Sequence, residues 1–168
     1  MTALDGQRND GGEPMRYWED MVVGESFVAG PHEVTEEAVL RFAGKFDPQY
    51  FHLDAEAAKD GPFGTLTASG WHSASIAMRL MVKGMLAELD SQGAPGVKLC
   101  RWLRPVTPGM HLSLHTELLD KYLPKSRNDI GFCSVRHFLR NDDGTDVLRM
   151  ENVFMLGRRG DGQEGASA

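Results

Sequence analysis

The chain has 168 residues, 41% of them hydrophobic and 25% charged, and its 24 Asp and Glu against 18 Lys and Arg give a formal charge of -6. That length supports one well-buried domain and is short for two. The acidic balance, without any cluster of Lys and Arg, argues against a nucleic-acid partner, and no apolar run reaches membrane-spanning length.

The opening MTALDGQRNDGGEP has neither a basic start nor an apolar h-region, so a cytoplasmic protein is expected. Residues 1–14 and 159–168 are rich in Gly, Asp and other small or polar residues and are expected to be disordered tails around a single domain at 15–158. After a first β-like stretch at Glu25–Gly30, Thr35 followed by Glu36 and Glu37 reads as an N-cap with acids in the first helical turn. That helix should stop before Asp47-Pro48, because proline disfavours α conformation in the residue preceding it. Asp54 reads as the cap of a second short helix closed by Gly61-Pro62.

From residue 69 to 91 the apolar positions Trp71, Ala74, Met78, Met81, Met85 and Leu89 recur at three and four, with Ile76, Leu80, Val82 and Leu86 widening the stripe almost all the way round. Such a helix is expected to be wrapped by other elements. From Gly96 onward the texture is β: VKLCRWLRPV, HLSLHTELLDKYL, GFCSVRHFLR and VLRMENVFMLG, parted by turn signals such as Pro108-Gly109 and Asn141–Gly144. An α+β domain follows, with a curved antiparallel sheet of about five strands around one long central helix and short helices before it. Cys100 and Cys133 lie in two of these strands without metal-ligand spacing and read as reduced, buried thiols.

The stretch Phe46–His52, FDPQYFH, departs from ordinary loop chemistry. Three of its seven residues are aromatic and would cost free energy in water, so the segment is expected to line a site. Asp47 alone could be an Asx turn, and His52 alone a core histidine bonded to a carbonyl. Together they offer a carboxylate and an imidazole for proton transfer. A metal held by Asp47, His52 and His72 is a further reading, but no HxxxH or HExxH spacing supports it.

The wording of the whole domain resembles the MaoC-type dehydratase and (R)-specific enoyl-CoA hydratase family, which has the hot-dog fold. The resemblance rests on Phe42-Ala43, Asp47–Asp54, Ala57–Lys59, Pro62–Gly64, Ala68–His72 and Arg101–Gly109, spread over roughly residues 16–158. It implies a catalytic pair at Asp47 and His52, whose family spacing is intact, and an oxyanion donor at the backbone N–H of Gly70. It also implies an acyl-CoA substrate, no cofactor and no metal, and a homodimer that sometimes assembles into a trimer of dimers. In some members a serine two turns into the helix holds the aspartate; that register falls here on Met78, with Ser75 one turn earlier.

Phe51, Phe63 and Trp71 are candidate pocket residues. Arg101 and Arg104, or alternatively Lys125 and Arg127, are candidate partners for CoA phosphates. The expected activity is that of a hydro-lyase interconverting a 2-enoyl-CoA and an (R)-3-hydroxyacyl-CoA by syn addition or removal of water. The alternatives are a hot-dog thioesterase and a non-catalytic acyl-CoA-binding subunit.

Overall fold

The computed structural model describes residues 16–159; the tail expected at 1–14, and all but one residue of that expected at 159–168, lie outside this range. Five antiparallel strands, β1 (Ser26–Glu33), β2 (Gly96–Trp102), β3 (His111–Tyr122), β4 (Ile130–Arg140) and β5 (Asp146–Gly157), form one sheet in the order β1-β3-β4-β5-β2. Three helices precede β2: α1 (Glu36–Phe46), the single turn α2 (Tyr50–Leu53) and α3 (Gly70–Gly84). This is the hot-dog arrangement, a sheet curled around its long helix.

Side-chain alternation sets which face of the sheet meets α3. Leu112, Leu114 and Leu118 of β3, Cys133, Val135 and Leu139 of β4, and Leu148, Phe154 and Leu156 of β5 are buried on that face, against Ile76, Ala77, Leu80 and Met81 of the helix. Burying each large aliphatic side chain contributes about 1.5–3 kcal/mol, so this layer is what holds helix and sheet together. The inner face also carries a polar line, Thr116, His137 and Asn152, one residue on each of the three central strands. Burial pushes the Cys133 thiol up to about 12, and it is free; Cys100 is also free but, contrary to expectation, only half-buried.

For the long helix, the structure corrects both its expected length and its expected surroundings. The long helix does not run to residue 91: it ends at Gly84, where Met85 leaves helical geometry, and a short 3-10 turn at Leu86–Glu88 follows. Gly84 is where the helix crosses β1, and a Cβ there would lie 2.3 Å from that of Ala29, so the crossing requires a residue without a side chain. Nor is the helix wrapped on every side. The sheet covers one face only, leaving Trp71, Met78 and Val82 exposed at 61%, 46% and 43%.

The edge strand β2 ends at Trp102, earlier than expected, so Arg104 lies beyond the strand, where the Leu103 and Arg104 amides donate to the Val147 carbonyl. No helix among the described residues is long and apolar enough to cross a membrane.

Candidate active site

The site is built from the chain break that Pro48 forces. Thr35 caps α1 by accepting from the Ala38 amide, and the helix holds until Phe46; Asp47 then turns away at φ -151° and ψ 71°. The aromatic stretch expected as a loop instead closes into the helical turn α2, which swings His52 back toward Asp47. Asp54 ends this turn and its Oδ1 accepts from the Glu56 and Ala57 amides, while the expected second helix is a 3-10 turn, Ala57–Asp60, whose N-cap position is Glu56 rather than Asp54.

His52 is 5% exposed, and its Nδ1 lies 2.7 Å from the Thr67 carbonyl oxygen. A carbonyl can only accept, so Nδ1 carries a proton, and it is in the neutral form of the ring that Nε2 presents a lone pair. The carbonyl is itself fixed, because the Thr67 amide donates to the Phe51 carbonyl and the Ala68 amide to that of Val106. Nε2 faces Asp47 Oδ2 at 3.6 Å. Two acceptors at this separation do not bond each other, but one water can donate to both.

Asp47 is held by Ser69, a residue whose part in the site the sequence does not directly signal. Ser69 Oγ donates to Asp47 Oδ2 at 2.6 Å, and Gln49 Nε2 donates to Oδ1 at 2.8 Å. The Ser69 hydrogen bond is the largest influence on the carboxyl and keeps it below the usual aspartate range, with Gln49 and His52 adding in the same direction against partial burial. Asp47 is therefore ionised at neutral pH. Met78 does not fill this role: it is half-exposed and lines a different cavity, and Ser75 bonds its own helix at the Trp71 carbonyl. Ser69 has a second duty as N-cap of α3, accepting from the Trp71 amide at 3.2 Å. A serine immediately before a helical run is the one sequence signal that could have pointed to it.

Gly70 is the first residue of α3, so its N–H is among the unpaired donors at the positive end of the helix dipole. The indole of Trp102 lies over it, close enough that a Cβ on residue 70 would come within 2.6 Å of the ring. Asp47, His52 and Gly70 open onto one cleft of about 500 Å³, walled by Phe51, Phe63 and Trp71. All six candidate residues thus converge.

Arg104 also lines the cleft and has no ion-pair partner among the described residues, whereas Arg127 is tied to Asp129 at a distance from it. His72 does not join the pair. Its ring stacks on Phe42, centroids 4.7 Å apart, and no group of three potential metal ligands occurs among the described residues.

A hot-dog domain with a paired carboxylate and imidazole beside a helix N-terminus defines a class, and comparison with known proteins narrows it. The model of the MaoC-like domain matches residues 20–129, and the chain belongs to this MaoC-like dehydratase family. It is 32% identical to the uncharacterized protein YdeM of Bacillus subtilis over 140 residues, which is 83% of this chain and 98% of that one. The crystal structure of a MaoC-like dehydratase from Rhodospirillum rubrum is similar at 37% identity and a TM-score of 0.77, covering 86% of this chain and 99% of the other. The R-hydratase PhaJ1 of Pseudomonas aeruginosa shares the fold at 22% identity and a TM-score of 0.65, covering 90% and 96%.

Proposed function

We propose that the protein is a hydro-lyase that interconverts a 2-enoyl-CoA and an (R)-3-hydroxyacyl-CoA. The observation that carries this reading is the pair of facing acceptors, His52 Nε2 and Asp47 Oδ2, 3.6 Å apart, in the same cleft as the free N–H of Gly70. Water donates one hydrogen to each acceptor. As its oxygen attacks the β-carbon, His52 Nε2 takes the proton, and the ionised Asp47 stabilises the resulting imidazolium. The same Nε2 then returns the proton to the α-carbon on the face from which water came, giving syn addition. Meanwhile the thioester oxygen, on which charge gathers, accepts from Gly70 N–H. One water is consumed, its hydroxyl ends on the β-carbon and its proton on the α-carbon, and the enzyme is restored.

Arg104 is the proposed partner for an anionic group of the CoA arm, being the free cation of this cleft. The working form is proposed to be a cytoplasmic homodimer. The open edge of β2, with Val97 59% and Trp102 47% exposed, adjoins the uncovered apolar face of α3, and a second copy would bury both.

The test is loss of the conjugated enoyl-thioester absorbance over a panel of short, medium, branched and dicarboxylic enoyl-CoAs. Wild-type turnover is expected, with Asp47→Asn and His52→Ala each slowing it by roughly 10²–10⁴-fold. Release of free CoA thiol instead would establish a thioesterase. Silence in both channels would establish a binding or partner-dependent subunit, a reading weakened by the Ser69 hydrogen bond, which gives Asp47 the support that Met78 does not.

A further inference from the structure

A second and larger cavity, about 660 Å³, continues the groove between α3 and β2 beyond the proposed active site. The two spaces adjoin at Trp71. The first takes Gly70 and Ser73 of the helix with Trp102 at the end of β2; the second takes Ala74, Met78 and Met81 with Gly96–Cys100; Trp71 walls both. The Trp71 and Trp102 rings meet edge to face at the junction, centroids 5.3 Å apart. A thioester held at Gly70 therefore has an apolar space beside it, past this pair and along the helix.

The floor of that cavity holds the outer end of the buried polar line. Thr116 Oγ1 lies 2.8 Å from His137 Nδ1, and His137 Nε2 lies 2.7 Å from Asn152 Oδ1. His137 is fully buried, and burial holds its ring below the ordinary histidine range, so it is neutral and carries a single N–H. With Asn152 Oδ1 facing Nε2, that N–H is on Nε2, and the Thr116 hydroxyl donates to Nδ1. The chain of bonds leaves the Asn152 Nδ2 amide without a protein partner among the described residues, on a side chain 92% buried that lines the cavity. Placing three polar side chains in the core costs desolvation, and the arrangement leaves one fixed donor at a cavity walled mostly by apolar side chains.

Resting on the hydratase reading above, we propose that Asn152 is a specificity-determining residue and that the acyl chain it selects carries a hydrogen-bond-accepting oxygen in its distal half. A plain alkyl chain leaves the amide unpaired, which disfavours it, whereas a keto or carboxylate oxygen pairs with it. Both sources present the same acceptor. Lys98, which lines the cavity and sits at the irregularity between Val97 and Leu99 in the β2–β5 pairing, would favour the carboxylate.

The experiment compares matched 2-enoyl-CoAs of equal chain length ending in methyl, methyl ketone or carboxylate, by kcat/KM, and the corresponding saturated acyl-CoAs by calorimetric Kd. The wild type is expected to favour an oxygenated chain by about tenfold in both readouts. Asn152→Asp keeps an acceptor for His137 but removes the donor; it should abolish or invert that preference, read as the ratio of kcat/KM between the oxygenated and the methyl-ended chain. Lys98→Gln should lower the preference for carboxylate over ketone if charge contributes, and leave it unchanged if the source is a neutral oxygen.

Equal or better handling of the methyl chain by the wild type would overturn the proposal, as would an Asn152→Asp protein that is folded and keeps the wild-type preference. The saturated ligands separate the two claims: absent hydration with oxygen-selective binding refutes the reaction and retains the pocket, and hydration without selectivity does the reverse.

Discussion

Ser69 carries two obligations on one oxygen, and its removal should be visible in two ways. Ser69→Ala takes away the donor that most depresses the Asp47 carboxyl, so that pKa rises toward the ordinary aspartate value. The ionised carboxylate that stabilises the His52 imidazolium is then lost at a higher pH as the solution is acidified, and the acid limb of the kcat/KM profile moves up. The same substitution removes the cap of α3 at a cost of about 1 kcal/mol, read in a denaturant titration. Gly70→Ala isolates the other half of the site. Its new methyl would collide with the Trp102 indole, and because that ring is half exposed it can swing away, so a small loss of stability and a large loss of turnover are expected.

At this scale the sequence was informative about Asp47 and His52, whose spacing survives in the chain itself. It was silent on Ser69 because a helix-capping serine looks the same whether or not a carboxylate lies across from it. The Asp47–Ser69 contact spans 22 residues and exists only after α2 has folded back.

The elements were legible where periodicity had one cause and less so where two causes overlapped. The alternation of β3, β4 and β5 could be read directly, since each buries one face. In α3 the apolar stripe is wider than the sheet can cover: Met81 and Ile76 are core, while Trp71, Met78 and Val82 answer to the groove and the outside. Hydrophobicity alone cannot separate a face buried within the fold from one awaiting a second surface.

If that second surface is another copy, Met78→Lys should shift the protein toward monomer in light scattering coupled to gel filtration, with far-ultraviolet dichroism unchanged. The early end of the helix has a steric counterpart. Gly84→Val would force β1 and α3 apart at Ala29, and a loss of roughly 1–3 kcal/mol is expected by urea unfolding.

Across the molecule, buried imidazoles set the pH range of stability. Burial lowers the pKa of His137, and that of His72, whose Nδ1 is buried without a partner. Both are therefore neutral in the fold, while in the unfolded chain they bind protons below about pH 6.5. A depressed folded pKa means the stabilisation is present above that pH and is lost as pH falls. Melting temperatures measured from pH 8 to pH 5 should be flat at first and then drop, and His72→Gln should make the drop shallower.

The described ends of the domain are clasped to each other. Arg158 Nε donates to Glu19 Oε1 at 2.9 Å, and Arg159 pairs with Asp20 at 2.6 Å, so the outgoing chain leaves beside the incoming one. Chain order is thus separable from fold here. A circular permutant joined through a short flexible linker and reopened in the exposed Asn141–Gly144 turn would keep every strand pairing and the whole Asp47–His52–Gly70 neighbourhood, and the domain could be inserted into a host loop at the cost of little more than the width of a strand pair.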